Sequence, residues 1–573
     1  MEVNVVSISN PNNKKAMGQY FTPVPIAKCL VNIILDLIPR EKVQGLNILD
    51  PAVGEGIFLE ILLEELNSRF LATKKSTHRL LGIDIDRKSI LKALELKNVQ
   101  KSVRNLEIEY LVGDFFQLYD RKKNEWGFDI ILGNPPHAAR YSPSQWEYIR
   151  SLIPSSMNKR FPKESAIFFT VLALDSLNDG GLLGFVLPKP LLYSQRWYRL
   201  RKLILTEYKV NYVIDFGNQF ALQNQEHIGL IMSKRKPDSR YIACLYDKIT
   251  HSVQTLSNIL VQDALLTDNF LVGVLKNERT LIRKLFSSKY RSLDVEAYRG
   301  ISSGYRVQSS GLPLIEKKTM GRGFLFPSSS YVSSETPPKV LIRYLHPKII
   351  LQRILPYRTD PYSFIIYPWV DVDGNIIPHE TTVIIKNPRP IFPLNVLAAI
   401  LQSSLIEWWL RHVVFTKQFV TSKDLDRAYI EKIRVPLVPN EGYPFHPSSR
   451  ELSLDSLDYE SLLEFANQEG QYSEISLLGE LYEHFIICGS KIKSIIQENL
   501  RTRPVQKKSN TYFQEFHNIY RRITRGHSDT SDMYKRIRPL LGNQNSIQRC
   551  INELTFRLYH LTSEESALLR KKF

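Results

Sequence analysis

Apolar residues between positions 26 and 38 recur at helical spacing, and after Gly45 the pattern changes to a short buried run, 46–49, that ends on Asp50. The period then alternates. Residues 57–66 read as a helix, 80–85 as a strand, 88–96 as a helix, and 110–112 and 128–132 as strands. Strands separated by helices build a parallel sheet, so the pattern predicts a doubly wound α/β domain whose ligands sit beyond the carboxyl ends of the strands. The rhythm continues through 166–177, 182–187, a basic helix at 196–207, and strands at 210–216 and 228–233.

A length of 573 residues exceeds what one hydrophobic core usually organises, and three regions are expected. The α/β domain closes near residue 260. From 261 to 446 short strands, aromatic residues and prolines predict a mixed α+β domain, with an apolar helix at 394–410. The stretch 447–573 alternates helical segments with polar linkers and carries basic runs at 501–508 and 521–525. No internal repeat is visible.

Charge narrows the partners. The 76 Lys and Arg outnumber the 58 Asp and Glu, leaving +18, which favours a polyanion such as nucleic acid. No apolar run is long enough to span a bilayer, and residues 1–15 lack the apolar stretch of a signal peptide, so no membrane partner and a cytoplasmic location are expected. Cys29, Cys244, Cys488 and Cys550 lie far apart, without zinc-site or redox spacing, and read as free thiols; no metal site is expected.

Chemistry-bearing residues follow the predicted strands in order. Asp50-Pro-Ala-Val-Gly-Glu-Gly56 lies between a strand and a helix, and its small residues let a ligand approach the backbone. Leu59 stands where a dinucleotide fingerprint has its third glycine, which argues against NAD. Asp84 ends the next strand, placed for ribose hydroxyls. Asp114, after the strand at 110–112, is placed to accept from an adenine amine, with an aromatic neighbour to pack on the base. Asn134-Pro-Pro-His137 follows the strand at 128–132. Its prolines remove two backbone donors and leave carbonyls, so Asn134 and the Pro135 carbonyl can hold both hydrogens of an amine while a planar group at 137 stacks on a base.

In this order the motifs resemble the N6-adenine DNA methyltransferases, specifically the gamma group of type II restriction-modification systems, with the cofactor motif first and the target-recognition domain last. Gly18-Gln-Tyr-Phe-Thr-Pro23 is similar to that family's first cofactor segment. The resemblance makes S-adenosylmethionine the cofactor. Its contacts are Tyr20, Phe21, Thr22, Asp50, Ala52, Gly54, Gly56, Asp84, Ile85, Asp114 and Phe115. It makes Asn134, Pro135, Pro136 and His137 the catalytic tetrapeptide, and Phe220 an aromatic that packs on the target base. The chain departs at His137, where the family usually has Tyr, Phe or Trp; imidazole still stacks, with a smaller face and a charge that depends on pH.

The resemblance implies methylation of the N6 amine of an adenine flipped from double-stranded DNA, in a prokaryotic restriction-modification or related defence system. It also makes 300–305, 384–386, 394–410 and 415–420 parts of a specificity domain. Arg306, Arg343, Lys348, Arg353 and Lys417 are candidate contacts to phosphates or base edges. A monomer is expected. No PD-(D/E)xK cluster is visible, so any restriction endonuclease would be a separate chain. The alternatives are a protein glutamine or an RNA amine as acceptor, or a DNA-binding homologue with a degenerate pocket.

Overall fold

The computed structural model describes residues 22–39, 43, 45–70, 77–95, 106–136, 141–158, 163–218, 226–307, 311–326, 330–355, 366–386, 392–416, 423–437, 471–501, 515–516, 518–520, 522 and 531–570. The chain divides into two compact units, Met1–Arg279 with His412–Thr421, and Thr280–Arg411 with Ser422–Phe573.

In the first unit, helix α1 (Val24–Asp36) begins where prolines at its first turn preset the helical φ. The expected alternation follows: β1 (Asn47–Asp50), α2 (Ile57–Phe70), β2 (His78–Asp84), α3 (Arg87–Glu95), β3 (Leu106–Val112), α4 (Phe115–Lys122), β4 (Phe128–Gly133), α5 (Pro143–Ser151), α6 (Ser165–Ser176) and β5 (Leu177–Pro188). After α7 (Tyr198–Glu207) come β6 (Lys209–Gly217), β7 (His227–Ser233), β8 (Arg240–Asp247) and β9 (Ser252–Leu260).

These nine strands form one sheet in the order β3-β2-β1-β4-β5-β7-β6-β8-β9. β1 pairs in parallel with both β2 and β4, so successive crossovers leave it in opposite directions and open a crevice at its carboxyl end. β4 and β5 continue the parallel set, β7 runs antiparallel between β5 and β6, and the β8–β9 hairpin closes the far edge. Strand faces are apolar because both sides are covered. Ile26, Leu30, Val31 and Ile34 of α1 and Phe58, Leu62 and Leu66 of α2 bury against Ile48, Ile130 and Val186 of the sheet. Each such side chain contributes roughly 1.5–3 kcal/mol on burial.

The second unit holds a four-stranded antiparallel sheet, Glu296–Arg299, Thr382–Lys386, Lys348–Gln352 and Trp369–Asp371 in spatial order. The long helices Gln471–Arg501 and Asp532–Leu558 belong to the same unit. Phe324 and Phe326 pack into their groove against Ile492, Ile496, Phe516 and Ile537.

Two expectations need correction here. The apolar run 394–410 is not one helix: Leu394–Leu401 stops, and Ser403 begins a new helix, Ser404–Trp408, by accepting from Ile406 N. Lys348 is not a surface cation. It is fully buried and bonded to Asp371 and to the carbonyl of Tyr344 at 2.7 Å, so its charge is spent inside the fold. Arg343 lies over the Tyr298 ring at 4.8 Å, Arg353 donates to Glu380 O at 2.6 Å, and Arg306 donates to Ser330 Oγ at 2.9 Å. Lys417 lies outside the described residues.

Candidate active site

The crevice beyond β1 is shaped by the turn from Asp50 to Gly56. Gly54 and Gly56 take φ of +54° and +94°, conformations that favour glycine, and a Cβ on Gly54 would meet nothing within 4 Å. The turn stays open because other groups hold it: Val53 N donates to Ile83 O at 2.8 Å, Gly54 N to Asp84 Oδ2 at 2.8 Å, and Ala52 N to Asp50 Oδ1 at 3.1 Å. Asp50 is 1% exposed and its Oδ2 is buried with no hydrogen-bond partner among the described residues.

Asp84 also accepts from Asp86 N at 2.8 Å, so each of its oxygens takes one backbone amide and keeps a further lone pair for a ligand hydroxyl. Ile85, next in the chain, is 53% exposed, an apolar side chain at the ligand edge of the sheet. Asp114 caps α4 by accepting from Gln117 N at 3.2 Å. Burial holds all three carboxyls above the ordinary carboxylate range, most strongly Asp50; the amides of Ala52, of Asp86 and Gly54, and of Gln117 and Phe116 respectively pull the other way. Phe115, expected on the ligand, is a core residue. Its ring packs on Phe169 at 5.4 Å and Trp126 at 6.3 Å, whereas Phe116 is half-buried beside Phe168 and Tyr148.

Asn134, Pro135 and Pro136 leave the carboxyl end of β4, next to the glycine turn. Their proximity is set by Gly133: at φ +154°, a Cβ there would lie 2.6 Å from Asp50 Oδ1. The Asn134 amide nitrogen donates to Thr22 Oγ1 at 3.1 Å, and the Ser165 hydroxyl donates to the Pro136 carbonyl. Pro135 is buried and Asn134 half-buried. Thr22, Asp50, Ala52, Gly54, Gly56, Asp84, Ile85, Asp114 and Asn134 to Pro136 thus share one edge of the sheet. Tyr20, Phe21, His137 and Phe220 lie outside the described residues.

Sequence reasoning did not single out several polar residues that the structure places at this edge. Ser165 carried no signal beyond its place at a helix start. Lys189, Asp215 and Glu226 form a buried ion cluster, with Lys189 Nζ 2.6 Å from Asp215 and 3.7 Å from Glu226, at the same carboxyl edge beyond β5. Burial raises the Asp215 carboxyl, opposed by the Lys189 ammonium.

Fold and site together define an α/β domain in which an open glycine turn, strand-end carboxyls and an Asn-Pro-Pro segment share the carboxyl edge of one sheet. Residues 5–265 match the family model described as N-6 DNA Methylase. Over 221 residues the chain is 24% identical to the type II methyltransferase M.BstVI of Geobacillus stearothermophilus, covering 34% of this chain and 38% of that protein. It is 26% identical over 232 residues to the type II methyltransferase M.VspI of Vibrio sp. (strain 343), covering 40% and 50% respectively. The matches therefore span half or less of these relatives. Among solved structures, the type IIL restriction-modification enzyme MmeI in complex with DNA aligns over 91% of this chain and 76% of its own, at 14% identity and a TM-score of 0.46.

The residues fit the cofactor. The open glycine turn admits a chain of small groups, Asp84 has lone pairs for ribose hydroxyls, and Ile85 offers an apolar face for a purine. Among the described residues no group of three or more His, Cys, Asp or Glu could hold a metal ion, and no helix is long and apolar enough to cross a membrane.

Proposed function

We propose that this chain is a site-specific DNA methyltransferase that acts on the N6 amine of an adenine extruded from double-stranded DNA, within a restriction-modification or related defence system. The carrying observation is the Asn134-Pro135-Pro136 segment against the glycine turn, with the Asn134 amide held by Thr22 and the Pro136 carbonyl by Ser165. Because Ser165 takes the Pro136 carbonyl, the Pro135 carbonyl is the backbone acceptor in this reading. With Asn134 Oδ1 it receives the two amine hydrogens and turns the nitrogen lone pair toward the cofactor. Bound S-adenosylmethionine supplies an electrophilic methyl group on a sulfonium. The protein's part is positioning and fixed dipoles. Extrusion costs a few kcal/mol of stacking and pairing, offset by protein contacts.

The second unit is assigned to target recognition, and the excess of basic residues supports DNA as the polyanionic partner. His137 and Phe220 are assigned to packing on the extruded base, and Tyr20 and Phe21 to the cofactor. The chain works as a monomer in the cytoplasm of a prokaryotic cell, and any cognate restriction endonuclease would be a separate polypeptide.

Expression in a methylation-deficient bacterial host, followed by modified-base sequencing of genomic DNA, tests the reading. N6-methyladenine at one recurring motif is expected. Asn134→Ala removes the mark and leaves cofactor affinity within a few-fold. An unmarked genome with the wild-type chain overturns the DNA assignment in favour of a protein or RNA amine, or a degenerate pocket.

A further inference from the structure

Two consecutive prolines give the active segment an unusual mechanical problem. Neither Pro135 nor Pro136 has an N–H, so two backbone anchors that other residues use to tie a strand end to its surroundings are missing. The segment must be located by side chains that reach its remaining polar groups. Two hydroxyls do so. Thr22, 8% exposed and two residues before α1, accepts from the Asn134 amide nitrogen at 3.1 Å. Ser165, 1% exposed and in the first turn of α6, donates its hydroxyl hydrogen to the Pro136 carbonyl. One tether precedes Pro135 and one follows it. On α6, one turn beyond Ser165, Phe168 stacks face to face on Tyr141, with centroids 3.7 Å apart and planes inclined by 6°. The same helix face therefore holds positions 136 and 141.

We propose that Thr22 and Ser165 are positioning residues for methyl transfer, two hydroxyl tethers that fix the rotation of the Asn134 amide and the plane of the following carbonyls. This rests on the methyltransferase reading above, and it changes the role of Thr22. As a cofactor contact, Thr22 acts on affinity for S-adenosylmethionine. As a tether, it acts on turnover, because an amine held off line reacts slowly even when both substrates are bound. Threonine is well suited to such a tether, since its branched Cβ restricts the hydroxyl to few rotamers and presets the contact before DNA arrives.

The variants Thr22→Val and Ser165→Ala keep shape and remove only the tethering hydroxyl, and Thr22→Ser restores it. Full-length variants are compared by cofactor titration calorimetry and by steady-state methylation of duplex DNA carrying the host-defined motif. The tether role gives a kcat at least tenfold lower for Thr22→Val and for Ser165→Ala, Kd for S-adenosylmethionine and KM for DNA within twofold of wild type, and Thr22→Ser near wild type. A raised cofactor Kd with unchanged kcat for Thr22→Val returns Thr22 to the cofactor contacts and overturns the proposal. If the wild-type chain transfers no methyl to DNA, the functional reading fails on its own. A crystal structure of Thr22→Val then decides the tether: a rotated Asn134 amide upholds it, and an amide left in place overturns it.

Discussion

Replacing Asp84 by Asn separates two jobs that one carboxylate can do at this site. Its oxygens accept from Gly54 N and Asp86 N, both at 2.8 Å, so Asp84 latches the glycine turn to the end of β2 and is also placed to meet ribose hydroxyls. An amide keeps one acceptor and turns an NH2 toward the other backbone N–H. Hydrogen bonds to a charged acceptor are worth about 1.5–3 kcal/mol, and losing one leaves two donors facing each other. The neutral side chain also sheds the burial penalty that raises the pKa of Asp84, so the lower end applies, about 1.5 kcal/mol, or roughly tenfold in an equilibrium constant. We expect Kd for S-adenosylmethionine to rise about tenfold by calorimetry. Either the Gly54 or the Asp86 amide of the cofactor-free protein, whichever faces the new NH2, should exchange with deuterium faster by a similar factor, since its partner is lost before any ligand binds. Weakened binding with unchanged exchange at both Gly54 and Asp86 would refute the latch and leave Asp84 as a ligand contact alone.

Gly133→Ala adds a Cβ 2.6 Å from the buried Asp50 carboxylate, at a φ that alanine adopts only with strain. The two penalties, about 1–3 kcal/mol each, predict a variant destabilised by about 2–6 kcal/mol in urea unfolding and with methyl transfer sharply reduced; wild-type stability contradicts the close approach of β4 to the turn. Burial raises the Asp50 pKa above 3.8, so the folded chain binds that proton more tightly than the unfolded chain does. The associated stability is present below 3.8 and is lost as pH rises through the higher folded value. Asp50→Asn removes the titration, so its unfolding free energy should gain on that of wild type as pH rises from about 4 to about 8, and a difference that stays flat with pH excludes Asp50 as the source.

The alternation of apolar periods named the doubly wound sheet from the chain alone, because strands covered on both faces must be continuously apolar and their helices amphipathic. It did not show the β8–β9 hairpin. β9 lies at the sheet edge with mostly exposed or half-buried positions, and such a strand needs no apolar alternation. The helix expected at 394–410 failed for the converse reason. A run of apolar residues says burial, while a cap such as Ser403 decides where one helix stops and the next begins.

At the site, local sequence determined whatever depends on chemistry at a strand end: Asp50, the glycines of the turn, Asp84, Asp114 and the Asn-Pro-Pro segment. Tertiary structure decided which groups face one another. Phe115 and Phe116 are adjacent aromatics on one helix, and only the packing of α4 against Phe169 and Trp126 sends the first into the core. Thr22 meets Asn134 across 112 positions and Ser165 meets Pro136 across 29. A hydroxyl has no periodic signature, so no spacing announces such a pair. The prolines showed in the sequence that two backbone donors are missing, but not which side chains reach the segment in their place.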